Sequence, residues 1–352
     1  MAGNTFGRIF RVTTFGESHG TALGCVVDGC PAGIPFDLDF IQSEMDRRRP
    51  GSNSLGTKRN EADEVKVLSG IFEGVTTGMP IAMVVENRDQ HSKDYSAIKD
   101  LFRPSHADYT YQMKYGVRDY RGGGRSSGRE TSARVAAGAL AKLFLKSKGI
   151  EISAGAVEIA GIRAENIDWN DRNNELCCPD RTAYESMRKR IEEARLEEDS
   201  VGGIVECHID NVPVGLGDPC FEKLSSVLAS AVLSIGACKG FEIGEGFDSA
   251  RMRGSLFNDQ MRMDGERPAF LTNHSGGILG GISNGEQIVI RAAFKPTPSI
   301  SRIQNTITKD MEETTCLVKG RHDPCIVPRA VVVVEAMCAI AIADEYLLSE
   351  AR

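Results

Sequence analysis

Three stretches of this chain, 131–147, 220–235 and 331–348, are apolar around most of a helical circumference. "RVAAGALAKLFL" and "RAVVVVEAMCAIAIADEYLL" leave almost no polar face for water. A helix of that kind belongs inside a structure, covered on more than one side. The strand-like segments supply the cover. "GCVVDG", "IAMVVEN", "EISAGAVEIAGI", "GIVECHID" and "QIVIRAAF" are rich in Val and Ile and bounded by Gly or Pro. The expected fold class is therefore α+β, with helices packed between antiparallel sheets.

An internal echo organises the chain. "CVVDGCPAGIP" from Cys25 and "CHIDNVPVGLG" from Cys207 share Cys-x-x-Asp-x-x-Pro-x-Gly-Ile/Leu. Each reads as a strand, a Pro/Gly turn and a helix. The first helix is "DFIQSEMDRRR". The second is "DPCFEKLSSVLASAVLSIG", with Asp218 as N-cap and Pro219 at the first helical position. "GIFEGVTTGMPIAMVV" from Gly70 and "GILGGISNGEQIVIRA" from Gly277 repeat a glycine-rich hairpin, and the apolar segments behind Arg134 and Arg329 form a looser third pair. These echoes suggest pseudo-repeats over about 1–150 and 200–352 within one domain, interrupted by a charged insertion at about 164–200 that ends in an exposed helix near Tyr184–Leu196.

The bulk numbers narrow the class. The net charge of −7 argues against a general nucleic-acid binder. No apolar run reaches the roughly 18–20 residues that span a bilayer. "MAGNTFGRIFRV" has no secretory core, so a cytoplasmic location is expected. The ten cysteines are scattered without Cys-x-x-Cys spacing and read as buried thiols.

Chemistry concentrates in turns. "YRGGGRSSGRETSARV" lacks the Lys-Ser/Thr of a P-loop and the spacing of a dinucleotide fingerprint. It still leads glycines and arginines into a helix start, where an anion can bind, although a mobile surface turn would look similar. "TTFGESHG" presents His19, and "LFRPSHADY" places Arg103 and His106 near Ser105 and Asp108. A histidine beside an arginine suits protonation of a departing phosphate. "DRRRPG" puts arginines at a helix C-terminus, where cations are favoured regardless of function. "KPTPS" and "VKGRHDPC" add cations, and Asp344 is a carboxylate inside an apolar helix. No metal-ligand spacing appears. The residues alone indicate a binder of a polyanionic small molecule with two candidate histidines.

Seven motifs, in order, go further. "TTFGESHG", "VDGCPAGIP", "DRRRPG", "RPSHADYTY", "YRGGGRSSGRETSARVAAGA", "GGILGGISNG" and "KGRHDPC" closely resemble the chorismate synthase family, from Gly3 to the C-terminal helix. The resemblance implies a β-α-β sandwich, a homotetramer, and loss of phosphate from 5-enolpyruvylshikimate 3-phosphate with reduced FMN as cofactor. It implies His106 as the acid for the leaving phosphate, His19 beside the flavin, and Asp344 as the carboxylate that takes part in removing the ring hydrogen. FMN contacts would be Arg125, Ser126, Ser127, Gly236, Ala237, Gly280, Lys295, Pro296, Thr297, Pro298, Ser299 and Arg321. Arg48, Arg103, Arg129 and Arg134 would hold the substrate's anionic groups. Two departures matter. Ser54 stands where the family often has a basic residue associated with reduced pyridine nucleotide, so NADPH is expected to enter only through a separate flavin reductase. Gly236 stands where Asn is frequent, so that contact would be through backbone. A flavin reductase and an RNA- or nucleotide-binding module are the alternatives; few aromatics for stacking disfavour the latter.

Overall fold

A computed structural model describes residues 3–51, 55–56, 62–87, 98–318 and 322–351. Of the three apolar helices expected inside the structure, Thr131–Lys146 and Val327–Glu350 are central, whereas Leu224–Leu233 buries one side only, through Leu224, Leu228, Ala231 and Val232. We label the helices in chain order: α1 (Leu38–Arg48), α2 (Asp108–Tyr115), α3 (Thr131–Lys146), α4 (Arg181–Leu196), α5 (Leu224–Leu233), α6 (Gly254–Phe257) and α7 (Val327–Glu350). Almost every residue of α7 from Val327 to Glu345 is buried. No helix among the described residues is long and apolar enough to cross a membrane.

Two antiparallel five-stranded sheets enclose this helical layer. The first has the order Thr5–Phe6, Arg11–Gly16, Ala22–Asp28, Ile81–Glu86, Val65–Val67. The second runs Cys238–Ile243, Ile288–Phe294, Gly203–Asp210, Glu151–Ile159, Ile162–Arg163. α3 packs on the first sheet, α7 on the second, and the two helices on each other. The architecture is α+β, sheet–helices–sheet. Along Ile288–Phe294 the inward residues Ile288, Ile290, Ala292 and Phe294 alternate with half-buried ones, as a sheet with one covered face requires.

The echoed segments occupy matching places. Ala22–Asp28 pairs with Ile81–Glu86 in one sheet, and Gly203–Asp210 pairs with Ile288–Phe294 in the other. Each pair is separated by a helix (α1 or α5) and a short hairpin (Ile71–Phe72 with Val75–Thr76, or Ile278–Leu279 with Ile282–Ser283).

Gly138 sets the spacing of the helical layer. A Cβ built there would lie 2.3 Å from the Ala336 Cβ, so α3 and α7 touch backbone to backbone. Further along, the Phe144 and Tyr346 rings meet edge to face at 5.8 Å, so the two helices run in the same direction. Glu335 of α7 is a buried carboxylate with three partners. It accepts hydrogen bonds from Arg47 of α1 at 2.7 and 2.8 Å, Lys142 of α3 at 2.6 Å and the Ala154 amide at 2.9 Å. Burial works to raise its pKa, but Lys142 and Arg47 outweigh that and hold it near 2.

Three local expectations need correction. The second echoed helix begins at Leu224, not at Asp218, because the segment 218–223 is held as a turn: the Asp218 amide donates to the Glu222 carbonyl, and the Leu224 amide to Gly281. The segment "GRIFRV" from Gly7 reads as a strand in the sequence, yet the strand begins only at Arg11. Residues 8–10 wrap instead around the Asp344 carboxylate, donating their amides to it at 2.6–3.0 Å. Nor is 164–200 only a solvated insertion: Leu176, Cys178, Met187 and Ile191 are buried, and α4 is one-sided. All ten cysteines are unpaired, and only Cys177 and Cys220 escape full burial.

Gly138→Ala is expected to lower stability by about 1–3 kcal/mol through overpacking. A fall in the urea midpoint at unchanged slope checks it; an unchanged midpoint would mean the helices can separate at little cost.

Candidate active site

At the N-terminal ends of α3 and α7 the chain leaves a cleft of about 510 Å³, within the roughly 300–1,000 Å³ typical of ligand sites. Six connecting segments form it. The turn after Arg11–Gly16 contributes Ser18 and His19. The segment before α2 contributes Arg103, Ser105 and His106. The glycine loop contributes Gly122, Gly123 and Arg125–Gly128, followed by Glu130, Thr131 and Arg134 of α3. Ser234, Gly236 and Ala237 follow α5, and Lys295, Thr297, Pro298 and Ser299 follow a strand of the second sheet. His322 and Ile326 lead into α7. Because α3 and α7 are parallel, the positive ends of both helix dipoles meet at this opening.

The glycine loop owes its shape to a close approach. Gly122 has φ +83°, and a Cβ there would stand 2.6 Å from His19 Cδ2 and 3.0 Å from Ser18 Oγ. The loop backbone therefore presses on the His19 turn, which only glycine permits. Ser105 (φ 56°) and Ala237 (φ 69°) also sit in the left-handed region while lining the cleft. Such strain in non-glycine residues clusters at functional sites.

Asp108 orders one wall. Its carboxylate accepts from Arg103 Nε at 2.7 Å and Nη2 at 2.8 Å, lies 3.0 Å from His106 Nδ1, and pairs with Arg118 at 3.1 Å. Burial pushes the Asp108 pKa up, but hydrogen bonds and charge from Arg103 and His106 hold it well below the usual carboxylate range. Arg103 also donates to the Gly122 carbonyl at 2.8 Å, which links this wall to the loop. Burial lowers the His106 pKa below its ordinary value. The Asp108 hydrogen bond opposes this, and the charges of Arg103 and Lys295 reinforce it. Burial and the charge of Lys239 lower the Lys295 pKa.

Arg125 and Arg134 share Glu130. Arg134 Nε donates to Glu130 at 2.7 Å and its Nη1 to Ser234 at 2.6 Å. Arg125 reaches Thr14 Oγ1 at 2.6 Å, and Thr14 in turn donates to Glu130 at 2.8 Å. A second cavity of about 590 Å³ adjoins the cleft and shares Arg125, Glu130, Arg134 and Ser234 with it.

Several expected residues lie elsewhere. Arg48 and Arg129, 1% and 4% exposed, are buried behind the loop and grip opposite oxygens of Asp63 rather than lining the cleft. Burial lowers the Arg48 pKa to about 10 despite Asp63, with Arg329 and Arg129 adding repulsion. Arg129 Nε also donates to Asn87 at 2.5 Å, and Asn87 donates to the carbonyls of Glu17 and Gly20. The pair therefore positions the His19 turn. Asp344 lines a different pocket, beside Arg8, Phe221 and Glu222, where it holds the three amides of residues 8–10. Gly280 sits exposed at the tip of a hairpin, and Pro296 is the one member of its run that does not line the cleft. Arg321 and Ser54 fall outside the described residues. Ser18, Glu130 and His322 line the cleft without having been singled out, although "GESHG", "GRETS" and "GRHDPC" contain them.

The lining suits a flavin phosphate and a second anion. Arg103, Arg125, Arg134 and Lys295 supply cations, and the buried Ser18 Oγ, Thr297 Oγ1 and His322 Nε2 have no hydrogen-bond partner among the described residues. Among the described residues no group of His, Cys, Asp and Glu could hold a metal ion.

The comparisons agree with one another. The sequence profile of the family described as chorismate synthase matches residues 10–347. Chorismate synthase of Lachnospira eligens is 54% identical over 98% of this chain and 95% of its own length. That of Cytophaga hutchinsonii is 55% identical, covering 99% and 98%. A solved structure titled as the crystal structure of chorismate synthase superposes with a TM-score of 0.77 at 33% identity, covering 97% of this chain and 93% of that one.

Asp344→Ala should cost on the order of 3 kcal/mol, since it orphans one buried and two half-buried amides, while phosphate binding in the cleft persists. Denaturation and phosphate titration check this; lost binding at undiminished stability would return Asp344 to the site.

Proposed function

The chain belongs to the chorismate synthase family, and from that premise we propose that it removes phosphate from 5-enolpyruvylshikimate 3-phosphate with loss of a ring hydrogen, as a carbon–oxygen lyase requiring reduced FMN without net redox change. The observation that carries the reading is the convergence of His19 and His106 with Arg103, Arg125, Arg134 and Lys295 on one cleft between two helix N-termini. Both halves of the chain contribute to that cleft, which supports one catalytic domain built from two pseudo-repeats.

The chain's own residues bind, orient and move protons. Lys295, Thr297, Ser299 and the Arg125–Ser127 turn would hold FMN, with Gly236 and Ala237 closing on it through backbone. Reduced FMN, when bound, supplies an electron on loan, which lets a poorly acidic C–H be broken after the phosphate has left. Arg103 and Arg134 would hold substrate anions, and His106 would donate the proton to the departing phosphate. Asp108 fixes the His106 ring through Nδ1 and leaves Nε2 for the substrate side. His19 would keep the cofactor end correctly protonated. The carboxylate role is not carried over to Asp344, because its oxygens already hold three backbone amides.

Reduced flavin would come from a separate reductase, with NADPH acting only through it. A cytoplasmic homotetramer is the proposed form. Exposed apolar side chains support association: Phe221 is 94% and Phe247 74% exposed.

Anaerobic incubation with reduced FMN and the substrate should release phosphate and form chorismate; no release would sink the reading. His106→Ala should lower turnover ~100-fold or more, as loss of a general acid does, and wild-type rates at neutral pH would refute its role. Proton linkage gives a further test. Burial lowers the His106 pKa, which favours the neutral ring at pH 7. A phosphate dianion favours the charged imidazole and raises that pKa. Substrate binding at pH 7 should therefore take up a proton, seen as calorimetric heat that varies with the buffer's ionisation enthalpy; no variation would contradict it.

A further inference from the structure

One imidazole of the cleft belongs to no contact described so far. His322 precedes α7 and lines the cleft together with Arg103, His106 and Lys295. Its Nε2 is buried and has no hydrogen-bond partner among the described residues. Buried polar atoms of a native fold are nearly always paired. An orphan on a ligand cleft therefore marks a place where the ligand supplies the partner. Two more orphans, Ser18 Oγ and Thr297 Oγ1, line the same cleft, so it holds three of the seven such atoms found among the described residues.

The surroundings indicate the ligand's chemistry. Burial lowers the His322 pKa below its ordinary value, the charges of Arg103 and His106 add to this, and Asp323 opposes them. Asp323 is itself engaged by Arg329. A site with that excess of positive charge selects an anion, and a neutral imidazole can still donate from Nε2 to a phosphate oxygen.

We propose that His322 is a further ligand-contacting residue, whose Nε2 hydrogen-bonds the phosphate group that Arg103 and His106 also grip. The inference rests on the reading of the cleft as a phosphate-ester site. Both FMN and the substrate carry a phosphate monoester, and the test separates them.

The chain has six histidines, few enough for their ring resonances to be assigned one substitution at a time. The full-length protein is titrated with inorganic phosphate, with FMN and with substrate in separate NMR series. With inorganic phosphate, the His322 and His106 signals should both move, and both should titrate at higher pH by roughly one unit, as an opposite charge a few ångströms away dictates. Movement with FMN alone would assign the phosphate to the cofactor, and movement only with substrate to the substrate; either supports the contact. In steady state, His322→Ala should raise the KM of the ligand so identified roughly 10–100-fold, the value of a hydrogen bond to a charged group, with a smaller change in kcat. His322→Gln, which keeps an Nε donor, should recover much of that loss. A His322 signal unmoved by phosphate, while His106 shifts and anaerobic phosphate release is normal, would overturn this proposal alone. If neither ring responds and no phosphate is released, the reading of the cleft falls with it.

Discussion

The contact on which the molecule depends is the backbone-close packing of α3 on α7 at Gly138 and Ala336. Each helix carries one sheet, so their separation fixes the distance between the sheets. Their parallel direction follows from the two contacts along their length and sends both N-termini to the same end. Every segment that lines the cleft leaves the fold at that end, from the His19 turn to His322. The positive electrostatic character of the site thus begins in the backbone, before any arginine is counted.

Two buried carboxylates then turn a crowd of arginines into fixed donors. Asp108 aligns Arg103 and His106 side by side, and Asp63 draws Arg48 and Arg129 together behind the loop. Without such anions, adjacent guanidiniums would repel one another and scatter into solvent. The Asp63 pair also reaches the "GESHG" turn through Asn87, so a charge cluster outside the cleft sets the place of a histidine inside it. Preorganisation of this kind matters where the protein's task is positioning and charge complementarity.

Much of the fold was legible because it is written in local patterns. The all-round apolar 131–147 and 331–348 could only be central, and the matched turns at Cys25 and Cys207 anticipated two equivalent strand pairs. The start of α5 was not legible, since Gly281, far away in sequence, holds the preceding turn. The glycine–arginine loop and His106 could be found from composition and spacing, and they do meet. Arg48 and Arg129 look like any other cation on paper. Only the fold shows that Asp63, on a distant segment, claims them. Asp344 misled for the same reason: an acid in an apolar helix suggests a reactive group, yet here it caps the amides of residues 8–10. His322 was hidden among ordinary turn residues, and its unpartnered ring nitrogen exists only in three dimensions.

If one cleft of one chain receives both phosphate-bearing ligands, as proposed, a structure determined with FMN and substrate bound will show both between His19, His106 and the Lys295–Ser299 run, with Arg48 and Arg129 still clasping Asp63. Ligands bound elsewhere on the chain, or Arg48 and Arg129 released from Asp63 to hold them, would contradict it.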